Sequence, residues 1–317
     1  MSKLAIAAVQ LAAEKTDNLD LIERETRAVA LRFPWLDMVV FPELAAYGVS
    51  TKFAQEPGGD FDSRMAKLAK ETGLYLIPGS SFVKRADKVF NTASVFAPDG
   101  AIIAQHDKFY PFLPYEKGVE NGSDYCVFEI PGIGKVGLAI CYDMWFPEAM
   151  RTLAAMGAEV IVLPTLTNTV DRDVELAIAR ANAAVNQCFF VDVNCAGALG
   201  NGRSVFYGPG GELIYESGDS RDVAAFRLDL QQVRDARQDG WNGLGQVMKS
   251  FRDAPLSFPF HESPHARRDA MAHWGELNIP TSDRGENKDG SANSPNEPIQ
   301  ITDYADGAGQ RQTRNKA

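Results

Sequence analysis

Val136-Gly137-Leu138-Ala139-Ile140-Cys141-Tyr142-Asp143 is the stretch that organises the rest of the chain: five apolar residues, a thiol, and then a turn toward Pro147. The apolar run predicts a buried strand. Pro147, with its fixed φ and missing N–H, suits the first turn of a helix running to about Gly157. A cysteine at such a strand-to-helix bend is held out of the sheet with backbone N–H groups close by, which is a setting for a nucleophile. Taken alone, a cysteine at the end of a buried strand is more often a small apolar filler.

Outward from this bend, strands and helices alternate. Downstream, Val160 to Leu163 reads as a strand. Val174, Ile178, Ala181 and Val185 mark the inner face of a helix, and Phe189 to Val193 is a further strand. The turn Gly208-Pro209-Gly210-Gly211 joins strands at Ser204 to Tyr207 and Glu212 to Glu216. Upstream, Cys126 to Ile140 is a strand pair around Pro131-Gly132, and Val89 to His106 is a hairpin turning at Pro98-Asp99-Gly100. Before these come a strand at Leu74 to Ile77, a helix after Asp60 carrying Phe61, Met65, Leu68 and Ala69 on one face, and a strand at Met38 to Phe41. The chain begins with a strand at Leu4 to Val9 and a helix bearing Leu19, Ile22, Thr26, Val29, Ala30 and Phe33, with Thr16 and Asp17 as capping candidates.

No linker interrupts residues 3 to about 262, so one α/β domain over 1–262 is expected, and such a chain can pack two sheets between helical layers. From 263 to 317 the chain reads as a polar extension. Residues 281–317, rich in Asn, Asp, Gly, Ser and Gln, are expected to be disordered or draped on a partner subunit.

The 317 residues are 45% hydrophobic, enough for a substantial core, and carry a formal net charge of −10 with a pI near 5.0. That balance argues against nucleic acid or anionic membrane surfaces as partners. Gln10 interrupts the first apolar run where a secretory signal would continue, and no segment approaches the ~20 apolar residues of a membrane span. Cys126, Cys141, Cys188 and Cys195 are too scattered for a disulfide framework and form no C-x-x-C pair. Reduced thiols in a cytoplasmic protein, with no metal and no cofactor, are expected.

Two further residues share the position of Cys141 just past an apolar strand. Glu43 ends Val39-Val40-Phe41-Pro42-Glu43, where open α/β folds place ligand crevices and where partial burial suits a carboxylate to general-base work; taken alone it reads equally as a solvated turn residue or a helix cap. Lys108 follows the strand Ala101 to His106 and precedes Phe109-Tyr110-Pro111-Phe112, so its ammonium can sit among aromatic and apolar groups, although taken alone it reads more often as a surface charge. A cation there lowers a neighbouring thiol pKa and stabilises an oxyanion.

Phe41-Pro42-Glu43, Asp107-Lys108-Phe109 with Glu116 downstream, and Cys141-Tyr142-Asp143 with Pro147-Glu148 together resemble the three marker motifs of the nitrilase superfamily of carbon–nitrogen hydrolases. The likeness runs from residue 4 to about 230. Within that superfamily, Lys108-Phe109-Tyr110-Pro111-Phe112-Leu113-Pro114-Tyr115-Glu116 and Cys141-Tyr142-Asp143 are most similar to the aliphatic amidases and formamidases. The resemblance implies a four-layer α-β-β-α sandwich with two mixed sheets. It also implies hydrolysis of a small carboxamide to acid and ammonia or amine through a cysteine thioester. In that scheme Cys141 is the nucleophile, Glu43 the proton carrier, Lys108 and the Tyr142 backbone N–H the oxyanion holders, and Glu116 a fourth polar member. A homodimer or larger homo-oligomer is expected by the same resemblance.

Tyr47, Trp145 and Thr165 lie just beyond Glu43, Cys141 and the strand Val160 to Leu163, and are candidates for the pocket wall. The rival readings are a nitrilase or N-carbamoyl hydrolase of the same fold, a glutaminase subunit serving a separate synthetase, and a catalytically silent binding member. Tyr142-Asp143 in place of Trp-Glu argues against a nitrilase, and Met144-Trp145, where N-carbamoyl hydrolases more often show an Arg, argues against recognition of a carboxylate-bearing substrate. His261-Glu262-Ser263-Pro264-His265 matches the zinc-protease pattern in form, but Pro264 disfavours the single helix that would align both imidazoles, and the surroundings read as loop.

Overall fold

Strands from the two halves of the chain build two separate sheets. The computed structural model describes residues 2–113, 115–274 and 277. The chain runs β1 (Lys3–Gln10), β2 (Ala12–Ala13), α1 (Leu19–Arg32), β3 (Met38–Val40), α2 (Asp60–Thr72), β4 (Tyr75–Ile77), β5 (Ser80–Arg85), β6 (Lys88–Phe96) and β7 (Ile102–Asp107). It continues with β8 (Cys126–Ile130), β9 (Gly134–Leu138), α3 (Pro147–Ala155), β10 (Val160–Thr165), α4 (Arg172–Asn186), β11 (Phe189–Asn194), β12 (Ala196–Gly197), β13 (Val205–Tyr207), β14 (Leu213–Glu216), β15 (Asp222–Asp229) and α5 (Gln231–Asp239).

The first sheet has the order β15-β1-β3-β4-β6-β5, with β7 added on β6, and the second has the order β14-β13-β11-β10-β9-β8. Both are mixed: β1, β3 and β4 are mutually parallel, as are β9, β10 and β11, while β15, β13 and the hairpins run antiparallel.

The period of two along each strand sorts the core into layers. Leu4, Ile6 and Ala8 of β1 join Val160 and Val162 of β10 and Phe189, Val191 and Val193 of β11 in one cluster, so the two sheets face each other across it. The alternate residues of β1, Ala5, Ala7 and Val9, pack instead with Leu19, Ile22, Phe61 and Met65 of α1 and α2. Ile161 and Leu163 of β10 pack with Ala149, Leu153, Leu176 and Ala183 of α3 and α4. The expected helix–sheet–sheet–helix order follows, and each buried Leu or Ile contributes about 1.5–3 kcal/mol.

Polar groups stitch the layers. Gln10 at the end of β1 is buried; its Oε1 accepts from the Ser204 N–H (2.9 Å) and hydroxyl (2.8 Å), and its Nε2 donates to Gly218 O (2.8 Å).

Three sequence expectations need correction, and two strands lie outside them. α1 starts behind Asn18, although Asp17 Oδ1 does accept from the Leu19 N–H at 2.8 Å. α4 buries Arg172, Glu175, Leu176, Ala179, Asn182, Ala183 and Asn186 and leaves Val174 and Val185 exposed, so its inner face is turned from the one the apolar spacing predicts. The reason is that Arg172 and Glu175 meet opposite charges inside the fold, which offsets their desolvation. β5 and β15 were not foreseen: β5 carries only Phe82 and Val83 as large apolar residues, and β15 finds its partner more than 200 residues earlier in β1. Finally, the region around Pro264 is not simply loop. A helix, Pro264–Met271, begins there with the Ser263 hydroxyl accepting from the Ala266 N–H (3.0 Å), while His261 ends a separate short turn, Pro259–His261. The two imidazoles therefore do not share a helix, and His265 pairs with Asp269 (3.4 Å).

The chain divides into two units, Met1–Pro111 with Gly118–Met248, and Phe112–Lys117 with Lys249–Ala317. The sheets belong to the first; in the second, Phe112 stacks on Tyr115 and Phe251 on Phe258. The expected polar tail, 281–317, lies outside the described residues.

Candidate active site

β3 delivers Glu43 through a tight backbone crossing. The Phe41 N–H donates to Ile77 O (2.8 Å), Leu44 takes a left-handed φ of 50°, and its N–H donates to Ser80 Oγ (3.1 Å). Gly79 makes the crossing feasible: at φ +84°, a Cβ there would sit 1.8 Å from Pro42 O, so any side chain would collide with backbone. Asn18 Nδ2 donates to Ala45 O (3.0 Å) and ties the same segment to the start of α1. From this support the Glu43 carboxylate enters the buried interior.

Lys108 follows β7. Its backbone is fixed on both sides, the N–H donating to Asn91 O and the carbonyl accepting from the Gly122 N–H, each at 2.8 Å. Its Nζ lies 2.8 Å from Glu43 Oε1, and the same oxygen accepts from Asn91 Nδ2 at 2.8 Å. Asn91, in the middle of β6, therefore holds both members of the pair. A buried ammonium and carboxylate are stable only with such added hydrogen bonds.

Cys141 leaves β9 with a φ of 45°, a strained conformation for a residue with a Cβ, and opens the 3₁₀ turn Cys141–Trp145. Asp143 holds this turn. Its Oδ2 accepts from the Ile140 N–H (3.0 Å) and pairs with His106 Nε2 (2.9 Å), while Oδ1 accepts from the Tyr110 N–H (3.1 Å). One carboxylate thus ties the cysteine bend to the strand before Lys108 and to the loop after it. The Cys141 thiol points toward Leu166 O (4.0 Å).

Burial pushes the Cys141 thiol well above its ordinary pKa; the Glu43 charge pushes it further up, and the Lys108 charge opposes both. Glu43, Lys108 and Cys141, read separately in the sequence, are therefore brought within electrostatic reach of one another. At neutral pH the sulfur carries its proton, with the Glu43 and Lys108 charges acting on it in opposite senses.

Tyr142 sits in the 3₁₀ turn with its ring edge-on to Phe146 (5.2 Å between centroids). Trp145 is tilted against Tyr142 (6.0 Å) at the α3 and α4 layer. Thr165, at the end of β10, is fully buried; its hydroxyl donates to Leu163 O (3.3 Å) and its carbonyl accepts from the Glu43 N–H (3.3 Å). The Tyr47 ring rests against Phe61 of α2 (6.1 Å). Glu116 belongs to the second unit, where its Oε2 accepts from the Phe112 N–H (2.6 Å) and its own N–H donates to Phe112 O (3.1 Å).

Asn91, His106 and the carboxylate of Asp143 were not singled out by sequence reasoning. The signal for Asn91 was present, as a polar residue inside the apolar strand Val89-Phe90-Asn91-Thr92-Ala93-Ser94-Val95-Phe96. Among the described residues, no group of three His, Cys, Asp or Glu side chains is placed to hold a metal ion.

The carbon-nitrogen hydrolase family profile matches residues 3–238. The chain is 28% identical to omega-amidase NIT2 of Mus musculus over 255 residues, covering 74% of this chain and 91% of that protein. It is 30% identical to 2-oxoglutaramate amidase of Bacillus subtilis over 212 residues, covering 64% and 82%. Among solved structures it resembles Saccharomyces cerevisiae Nit3, a member of branch 10 of the nitrilase superfamily, with a TM-score of 0.68, 26% identity and coverage of 75% and 94%. It also resembles the amidase from Nesterenkonia sp. AN1, in a variant complexed with acrylamide, with a TM-score of 0.67, 25% identity and coverage of 75% and 95%.

Proposed function

We infer, from a chain that belongs to the carbon–nitrogen hydrolase family of the nitrilase superfamily, that its amide hydrolysis runs through Cys141 as nucleophile, Glu43 as proton carrier and Lys108 as the cation facing the oxyanion. The observation that carries this assignment is the shared Glu43 oxygen. Lys108 Nζ and Asn91 Nδ2 both reach Oε1 at 2.8 Å, and the charges of Glu43 and Lys108 both act on the Cys141 thiol.

The thiol proton passes to Glu43 as sulfur bonds to the amide carbon, and the carbonyl oxygen takes the negative charge, met by Lys108 and the Tyr142 N–H. Glu43 returns the proton to the nitrogen, the C–N bond breaks, and ammonia leaves a thioester on Cys141. Glu43 then takes a proton from water as the hydroxyl attacks the thioester. The sulfur recovers its proton and the carboxylic acid departs. Because the resting thiol is protonated, transfer to Glu43 is part of the attack rather than a preceding ionisation.

The relatives' names point to small substrates bearing a terminal carboxamide, and the proposed leaving group is ammonia. The proposal of a homodimer or larger assembly is supported by Met156, Val170, Val174 and Val185, which are exposed on and between α3 and α4. No described helix is long and apolar enough to cross a membrane. The free cysteines support assignment to a reducing cytoplasm.

Ammonia release from a panel of short amides, including ω-amides of dicarboxylic acids, tests the assignment against Cys141→Ala. Turnover with wild type, none with the variant, and an acyl adduct on the Cys141 peptide by mass spectrometry are expected. Nitriles and carbamoyl compounds in the same panel separate the sibling chemistries. A wild-type enzyme silent on every compound would favour a binding member of the fold.

A further inference from the structure

The backbone that receives both Glu43 and Cys141 belongs to one short segment. Thr165 O accepts from the Glu43 N–H (3.3 Å) and Leu166 O faces the Cys141 thiol (4.0 Å). The next residue, Thr167, is held at every polar group. Its N–H donates to Asn194 Oδ1 (2.8 Å), its carbonyl accepts from Asn194 Nδ2 (3.0 Å), and its hydroxyl donates to Glu175 Oε1 (3.0 Å). Asn194 is itself fixed, its N–H donating to Ser204 Oγ (2.9 Å) and its Nδ2 also reaching Gly202 O (2.8 Å). The other Glu175 oxygen accepts from Arg172 Nη1 (3.1 Å), which also lies 2.8 Å from Asp192 Oδ2, and Arg172 Nη2 donates to Arg203 O (2.7 Å). Thr167, Arg172, Glu175, Asp192 and Asn194 are all buried.

We propose that Glu175 and Asn194 are positioning residues of the amidase site: by fixing Thr167 they set the two preceding carbonyls, and through these the separation of Glu43 from Cys141. The proposal rests on the reading of Cys141 as nucleophile. A buried arginine with two carboxylates adds little stability over a hydrocarbon core of equal volume. What this one supplies is a fixed anchor for Thr167, joined through Asn194, Ser204 and Gln10 to β1 in the opposite sheet. A displacement of about 1 Å between reacting groups costs up to about 10²-fold in rate, so an anchor this close to both groups acts on turnover more than on substrate affinity.

Glu175 also acts through charge. The groups bearing on the Cys141 thiol are Glu43, Lys108 and Glu175; those facing Glu175 are Arg172, Asp192 and the Thr167 hydroxyl. The Glu175 carboxylate adds to the forces keeping the thiol protonated, so its neutralisation lowers the pH at which the sulfur ionises.

The test uses Thr167→Val, which keeps shape and removes the hydroxyl; Thr167→Ser, which restores it; and Glu175→Gln, which removes the charge. Turnover and KM for an amide found in the panel are normalised to titrated Cys141. The pH profile of Cys141 alkylation by iodoacetamide is read by peptide mass spectrometry. Thr167→Val is expected to lower kcat about tenfold with KM within about twofold, and Thr167→Ser to recover most of it. Glu175→Gln is expected to move the alkylation profile to lower pH. A folded Thr167→Val with wild-type kcat, or a folded Glu175→Gln with an unmoved profile, overturns the proposal. Loss of the fold in both would assign the network to stability alone and overturn it too. Failure of the catalytic assignment itself would show separately, as turnover surviving Cys141→Ala.

Discussion

Lys108 Nζ lies 2.8 Å from Glu43 Oε1, and each side chain is only 2% exposed, so neither charge can turn to water if the other is removed. Lys108→Met is therefore expected to destabilise the fold by about 3–5 kcal/mol. Lys108→Met with Glu43→Gln should be more stable than Lys108→Met alone, since the second change removes the stranded charge. Urea unfolding of the two variants checks this; a double variant less stable than the single one would contradict it.

Asn91 donates to the same carboxylate oxygen that Lys108 reaches, and its carbonyl holds the Lys108 N–H. Asn91→Ala removes the side-chain donor, an effect of about 1–3 kcal/mol on a buried charged acceptor. The expected outcome is a fall in kcat of roughly tenfold to a hundredfold with KM little changed, by steady-state ammonia release.

Gly79→Ala places a methyl group against Pro42 O at a φ of +84°. The segment carrying Glu43 must move, at a cost on the order of 3 kcal/mol, and turnover should fall with it. Thermal unfolding and ammonia release should both register the change; a variant normal in either would show that the crossing can relax.

Buried thiols make the fold sensitive to alkali. Burial pushes Cys126 and Cys188 up to about 12 and Cys195 and Cys141 up as well. In the unfolded chain a thiol ionises near ~8.5. Above that pH the unfolded state releases protons that the folded state keeps, so each thiol's contribution is fully present below about 8.5 and declines as pH rises toward the folded value. The expected loss is ~1.4 kcal/mol per pH unit per thiol. Urea unfolding at pH 8 and pH 9.5 reads it, and Cys188→Ala should give a shallower decline than wild type.

What the sequence disclosed follows from how local each signal is. The strand before Cys141, the turn at Pro147 and the buried face of α2 are written in neighbouring residues, and they stand where local pattern puts them. α4 defeats the same logic because its buried face carries Arg172, Glu175 and Asn182, whose partners lie on other segments: Asp192 for Arg172, Thr167 for Glu175, Met144 O for Asn182. Glu43, Lys108 and Cys141 are singled out by their motifs, which are local. Asn91, His106 and Asp143 gain meaning only once β6, β7 and the cysteine bend are adjacent in space.

β1 and β15 pair along their whole length, from Lys3 opposite Asp229 to Gln10 opposite Asp222. At a translation speed of about 5–20 residues per second, the ribosome needs on the order of 10–40 s to make the second of these strands after the first. Throughout that interval one edge of the nascent first sheet stays open, the kind of edge on which other chains assemble. Nascent chains stalled before residue 222 should accordingly depend on a chaperone for solubility, and release from it should coincide with synthesis of the closing strand.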